Sequence, residues 1–171
     1  MHSLKRALLQ LAVAVLALAA LPAPAAEVTY KVQLSGAENV PEPIRTPATG
    51  QLDLVVSASG QSVSYVLTVN DITNVVDGDI HLGPADGNGP LVLKLFHASG
   101  SKKGTFSGVL AQGKFDASDL IGSLKGAGLD ELLEQFAAGN AYVNVHTNDG
   151  IDPPNSGPGD YRLGEIRGQI K

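Results

Sequence analysis

Three short segments of this chain set metal-competent or charged side chains at every second position, with aliphatic residues or glycine between them. They are Asp79-Ile80-His81-Leu82, Tyr142-Val143-Asn144-Val145-His146 and Glu165-Ile166-Arg167-Gly168-Gln169. In a strand, successive side chains point to opposite faces. Ile80, Leu82, Val143, Val145 and Ile166 are therefore expected to point inward, with Asp79, His81, Tyr142, Asn144, His146, Glu165, Arg167 and Gln169 on the other side. If the three strands share a sheet, His81, His146, Asp79 and Glu165 converge, and neutral imidazole with carboxylate is a ligand set for zinc or copper. A second reading needs no metal. Asp79 pairs with Arg167 and Glu165 with His146 across strands, while Asn144 and Glu165 satisfy backbone groups of the loops they face. The polar network is the leading reading and the metal site the alternative. Both expect His81, His146 and Glu165 to lie close together on one surface. His97, followed by Ala98-Ser99-Gly100, reads as a solvated histidine at a strand end.

Other chemistries lack their residues. With no cysteine there is no disulfide, thiolate metal site or cysteine nucleophile. No Gly-x-Ser-x-Gly elbow, dinucleotide fingerprint or phosphate-binding Gly-x-x-x-x-Gly-Lys-Ser/Thr loop is present, although the chain has 20 glycines. Asp86-Gly87-Asn88-Gly89 fits a turn better than a calcium loop. Paired carboxylates for glycoside hydrolysis remain open, but the lack of Trp and an aromatic content of 5% disfavour sugar stacking.

The elements that would position these residues are short strands. Val28, Tyr30, Val32 and Leu34 alternate with Thr29, Lys31, Gln33 and Ser35, and the same period-two pattern recurs in residues 51–57 and 62–70 around Ser59-Gly60-Gln61. Further strands are expected at 79–82, 91–96, 105–112, 141–147 and 162–170, separated by turns rich in Gly, Pro and Asn. Eight such strands suggest a Greek-key β-sandwich. One helix interrupts them: Leu129, Leu132, Leu133 and Phe136 form an apolar stripe, Asp130 and Glu131 suit a first turn, and Gly139-Asn140 supplies a stop. Residues 117–127 read as a loop with a short turn.

The 171 residues suffice for one domain. Lys5 and Arg6, an apolar run from Ala7 to Leu21 broken only by Gln10, and the exit Ala23-Pro24-Ala25-Ala26 follow the order of a secretory signal peptide. Residues 1–26 are thus expected to be cleaved, leaving residues 27–171 as a secreted or periplasmic domain. Cleavage removes two of the 12 basic residues and none of the 17 acidic ones, taking the net charge from −5 to −7. That balance argues against nucleic acid or an anionic membrane as partner.

Three blocks, read in order, are more specific than a generic sandwich. They are Leu34-Ser35-Gly36-Ala37-Glu38-Asn39-Val40-Pro41-Glu42-Pro43; Ile80-His81-Leu82-Gly83 with Gly87-Asn88-Gly89-Pro90; and Ala141-Tyr142-Val143-Asn144-Val145-His146-Thr147 with Gly164-Glu165-Ile166-Arg167-Gly168-Gln169. Together they resemble the CHRD (chordin-type) domain, in its exported bacterial form, over residues 28–170. The family more often has His-Ile-His where this chain has Asp79-Ile80-His81, and Glu-Val-Pro-Pro where it has Asn39-Val40-Pro41-Glu42-Pro43. The resemblance implies an all-β, immunoglobulin-like sandwich, similar in outline to copper/zinc superoxide dismutase, to which the pattern at 129–136 adds one short helix. It implies little about activity. The leading expectation is an exported binding or structural module without catalytic activity, with a protein or surface partner of unknown identity and no cofactor. The alternative is a periplasmic copper or zinc protein using His81, His146, Asp79 and Glu165. A superoxide-dismutase-like enzyme is disfavoured, because its copper site needs more histidines than His81, His97 and His146 provide.

Overall fold

The computed structural model describes residues 26–171, with backbone alone across 100–102. The expected signal peptide lies almost wholly outside these residues. Among the described residues, no helix is long and apolar enough to cross a membrane. The chain forms β1 (Val28–Ser35), β2 (Thr49–Val56), β3 (Val63–Leu82), β4 (Leu91–Phe115), α1 (Leu129–Ala137), β5 (Ala141–Thr147) and β6 (Ile166–Ile170), with three single-turn 3₁₀ helices.

These six strands replace the eight expected. The strands expected at 62–70 and 79–82 are two ends of the 20-residue β3. Those expected at 91–96 and 105–112 are two ends of the 25-residue β4. The polar stretch around Asp71 and Asn74 reads as a turn, yet Ile72 and Val75 are fully buried and keep the strand in the sheet. Asp71 and Asn74 take φ of 51° and 53°, in the left-handed region that short polar side chains tolerate. The ladder to β4 shifts register around them, so β3 bends without ending.

That bend closes the sheet. One edge of β3 pairs with β4 along its length, while the other pairs first with β2 (Val63↔Val56 to Asn70↔Thr49) and then with β5 (Val75↔Thr147 to Leu82↔Ala141). The strand order β2-β1-β6-β5-β3 therefore returns to β2. All pairings are antiparallel.

The interior is filled by the alternating residues. Leu52, Leu54, Leu67, Val69, Ile80, Val143, Val145, Ile166 and Ile170 are fully buried, as the inward face predicts for the last strands. The helix forms where its stripe requires, buries Leu129, Leu132 and Phe136, and sets Phe136 edge-on to Tyr30 at 5.5 Å. The Ser59-Gly60-Gln61 connection is a tight hairpin, with Ser57 N–H bonded to Ser62 O at 2.9 Å.

The expected strand at 162–170 is shorter than its sequence suggests. A turn bonds Gly164 N–H to Tyr161 O at 3.1 Å, and Gly164 has φ of 119°, so pairing with β5 begins only at Ile166↔Val145. Val145→Ala should destabilise the domain by about 1–3 kcal/mol, from lost burial and the cavity left behind. Urea denaturation checks this, with a loss of only a few tenths contradicting the inward assignment of β5.

Candidate functional site

Adjacent β3 and β5 bring Asp79, His81 and His146 together. Asp79 and His81 share a face of β3, and the register Asp77↔His146, Asp79↔Asn144, His81↔Tyr142 sets His146 diagonally across from Asp79. Asp79 Oδ1 lies 2.9 Å from His81 Nε2 and 3.0 Å from His146 Nε2, with ring centroids 6.1 Å apart. The side chains are only 6%, 16% and 13% exposed for Asp79, His81 and His146.

The far nitrogen of each ring meets a main-chain carbonyl. His81 Nδ1 is 3.0 Å from Gly89 O, and His146 Nδ1 is 2.9 Å from Arg162 O. A carbonyl oxygen only accepts, so each Nδ1 carries the proton. In the neutral ring Nε2 then holds a lone pair. Two nitrogen lone pairs and a carboxylate oxygen converge on one space, an arrangement that requires protons or a cation between them. Burial alone would raise the Asp79 pKa, but hydrogen bonds and charge from His146 and His81 bring it down to about 2. Burial would lower that of His146, yet its bond to Asp79 and the charge of Asp79 raise it above 6.5.

Loops hold both carbonyls in place. The 83–90 loop is tied by Arg167, which is 1% exposed and donates from Nη2 to Pro84 O and Gly87 O at 2.9 Å each, and from Nη1 to Asn88 Oδ1 at 3.2 Å. The Arg167 guanidinium also lies 3.8 Å from the Tyr142 ring centroid, and Tyr142 stacks on His81 at 5.1 Å with an interplanar angle of 11°. Gly89 N–H donates to the Tyr142 hydroxyl at 3.2 Å, closing a circuit back to the carbonyl that holds His81. The sequence placed Tyr142 and Arg167 on the polar face. What it missed is that loops cover this face and bury both.

Glu165 does not join the centre. It precedes β6 at the Gly164 turn, is 1% exposed, and accepts from Thr46 Oγ1, Thr147 Oγ1 (2.6 Å) and Gly159 N–H (2.8 Å). Thr147 Oγ1 in turn accepts from Tyr161 N–H at 2.9 Å, fixing the loop that presents Arg162 O to His146. Asn144 Nδ2 donates to Leu163 O at 3.0 Å. The expected role of Asn144 and Glu165 in satisfying loop backbone is thus observed, whereas the Asp79–Arg167 and Glu165–His146 pairs do not form. His97 is 63% exposed, as expected of a solvated ring, but lies within β4 and contacts Asp77 Oδ1 through Nδ1 at 2.6 Å. Gly108 to Lys114 has the glycine and lysine spacing of a phosphate loop, but Phe115 follows and the segment is part of β4.

Among the described residues, Asp79, His81 and His146 form the one cluster of three His or acidic groups whose donor atoms all lie within 4.8 Å of one another. A cavity of about 390 Å³ opens in front of it. The fold and site define an all-β domain with a two-histidine, one-carboxylate centre on its sheet. A family model for the CHRD domain matches residues 30–154, most of the chain and all three residues of the centre, and the chain belongs to that family. The closing residues 164–170 lie beyond the match. No curated protein and no solved structure matches the chain.

The pKa shifts act in opposite directions. The depressed Asp79 stabilises the fold above pH 3.8, and this is lost as pH falls through about 2. The raised His146 contributes fully below pH 6.5 and is lost as pH rises through its folded value. Metal-free protein should therefore be most stable between about pH 4 and 6.5, and Asp79→Asn should flatten both arms of the urea-midpoint profile. Glu165→Gln should cost about 1–3 kcal/mol in the same assay, because one amide cannot accept from all three donors.

Proposed function

We propose that this CHRD domain is an exported, non-catalytic binding module whose ligand chemistry is a divalent cation, zinc or copper(II), held by His81 Nε2, His146 Nε2 and Asp79. The observation that carries the reading is the pair of carbonyls: with both Nδ1 protons committed to Gly89 O and Arg162 O, both Nε2 lone pairs face one carboxylate oxygen. Metal-ligating histidines commonly donate their other N–H to such a group, which fixes the tautomer and ring orientation. Imidazole and carboxylate suit zinc and copper alike.

The site residues fit an ion on chemistry as well as position. Asp79, where the family more often has histidine, replaces a neutral donor by a charged one and remains a ligand. Export rests on the basic, apolar and small-residue order of residues 1–26, and places the domain in the periplasm or outside the cell. The bend in β3, which carries one strand from β2 to β5, would set two facing layers in the Greek-key sandwich implied by the resemblance.

Calorimetric titration of untagged protein with zinc and with copper(II) tests the reading. One equivalent should bind, and Asp79→Asn or His146→Ala should weaken it by more than about 100-fold, since even the outer partners of ligands are worth about 10–100-fold. Absence of saturable binding would leave a protonated polar network as the function of the triad.

A further inference from the structure

We infer that an ion in the Asp79/His81/His146 centre keeps a coordination position open to the cavity and takes there a carboxylate from outside the domain, guided by Lys94 and Arg162. This rests on the metal reading above and names what that metal would bind. All three donors come from the β3–β5 wall, so the side away from the sheet carries none of them. That side is the cavity of about 390 Å³, within the range of small-ligand sites, about 300–1,000 Å³. Three protein ligands with a solvent-facing fourth position is the arrangement of metal sites that exchange ligands, in contrast to closed structural ones.

Charge selects the ligand class. The cavity walls include two carboxylates, Asp77 and Asp79, and two cations, Lys94 and Arg162, which cancel when the rings are neutral. A divalent ion therefore leaves a net charge of two positive in a partly enclosed space, and anion affinity becomes metal-dependent. Lys94 reaches Asp77 Oδ1 at 3.5 Å and Arg162 reaches Asp152 Oδ1 at 3.2 Å. Lys94, Arg162 and Asp152 are exposed and Asp77, which also contacts His97, is partly so, which makes both pairs weak and lets each cation turn toward an incoming anion. Lys94 is set at the rim by its pairing with Asp79 across β3 and β4. Arg162 is set there by the turn whose carbonyl holds His146. Carboxylate is the chemistry that satisfies both the ion and this pair of cations, whether it belongs to a small free acid or to an acidic side chain of a protein partner.

The test uses copper(II)-loaded exported protein titrated with azide, followed by displacement. Azide should produce a saturable charge-transfer band. Lys94→Gln and Arg162→Gln should each weaken azide about two- to fivefold, as removal of a rim charge does, with copper stoichiometry unchanged. Acetate should displace the azide, and should show no binding to metal-free protein. A blocked peptide carrying one glutamate, compared with its glutamine twin, separates the sources: displacement tighter than acetate indicates a partner side chain, and equal displacement a small free acid. No azide band on protein that holds one copper would overturn the open position while sparing the metal reading. Failure to bind copper would remove both, and acetate binding equally well without metal would overturn the charge argument.

Discussion

The carbonyls of Gly89 and Arg162 each take the Nδ1 proton of a histidine, and since neither can return one, they decide what the opposite nitrogens do. Both Nε2 atoms are left to face Asp79 Oδ1, in a site whose three side chains are mostly buried. Repulsion among lone pairs that close is relieved only by positive charge. The depressed Asp79 and raised His146 pKa values express this demand when protons meet it, and a divalent cation meets it equally well.

Much of the surrounding structure serves those two carbonyls. Arg167 on β6 ties down the 83–90 loop and stacks through Tyr142 on His81, so one buried cation supports both the ring and its acceptor. Glu165 does the corresponding work for His146 by gathering Thr46, Thr147 and Gly159 around the 157–164 turn. The continuous β3 lets these supports meet. Its bend at Asp71 and Asn74 carries one strand from β2 to β5, so Asp79 and His81 sit beside His146 on a closed sheet that holds their spacing.

Side-chain alternation made the inward residues of β5 and β6 readable, because Val143, Val145 and Ile166 have only one way to reach the core. The same alternation paired Asp79 with His81 and offered His146 as their neighbour. It failed at Glu165, where the Gly164 turn interrupts the strand one residue before pairing begins and redirects the carboxylate to Thr147. It also failed on strand number, since polar residues at positive φ look the same in a sequence whether they end a strand or bend it. Nothing in a strand pattern tells which loop will cover its polar face. The burial of Tyr142 and Arg167, and the two carbonyls that orient the histidines, are tertiary facts.

Nitrogen-15 NMR of the histidine rings, recorded near neutral pH with and without one equivalent of zinc, measures the central constraint directly. With zinc bound, His81 and His146 should each show a protonated Nδ1 and a metal-shifted Nε2, while His97 stays as it is in the metal-free protein. A proton retained on Nε2 of either ring in the presence of zinc, or an Nδ1 without its proton, would contradict the account.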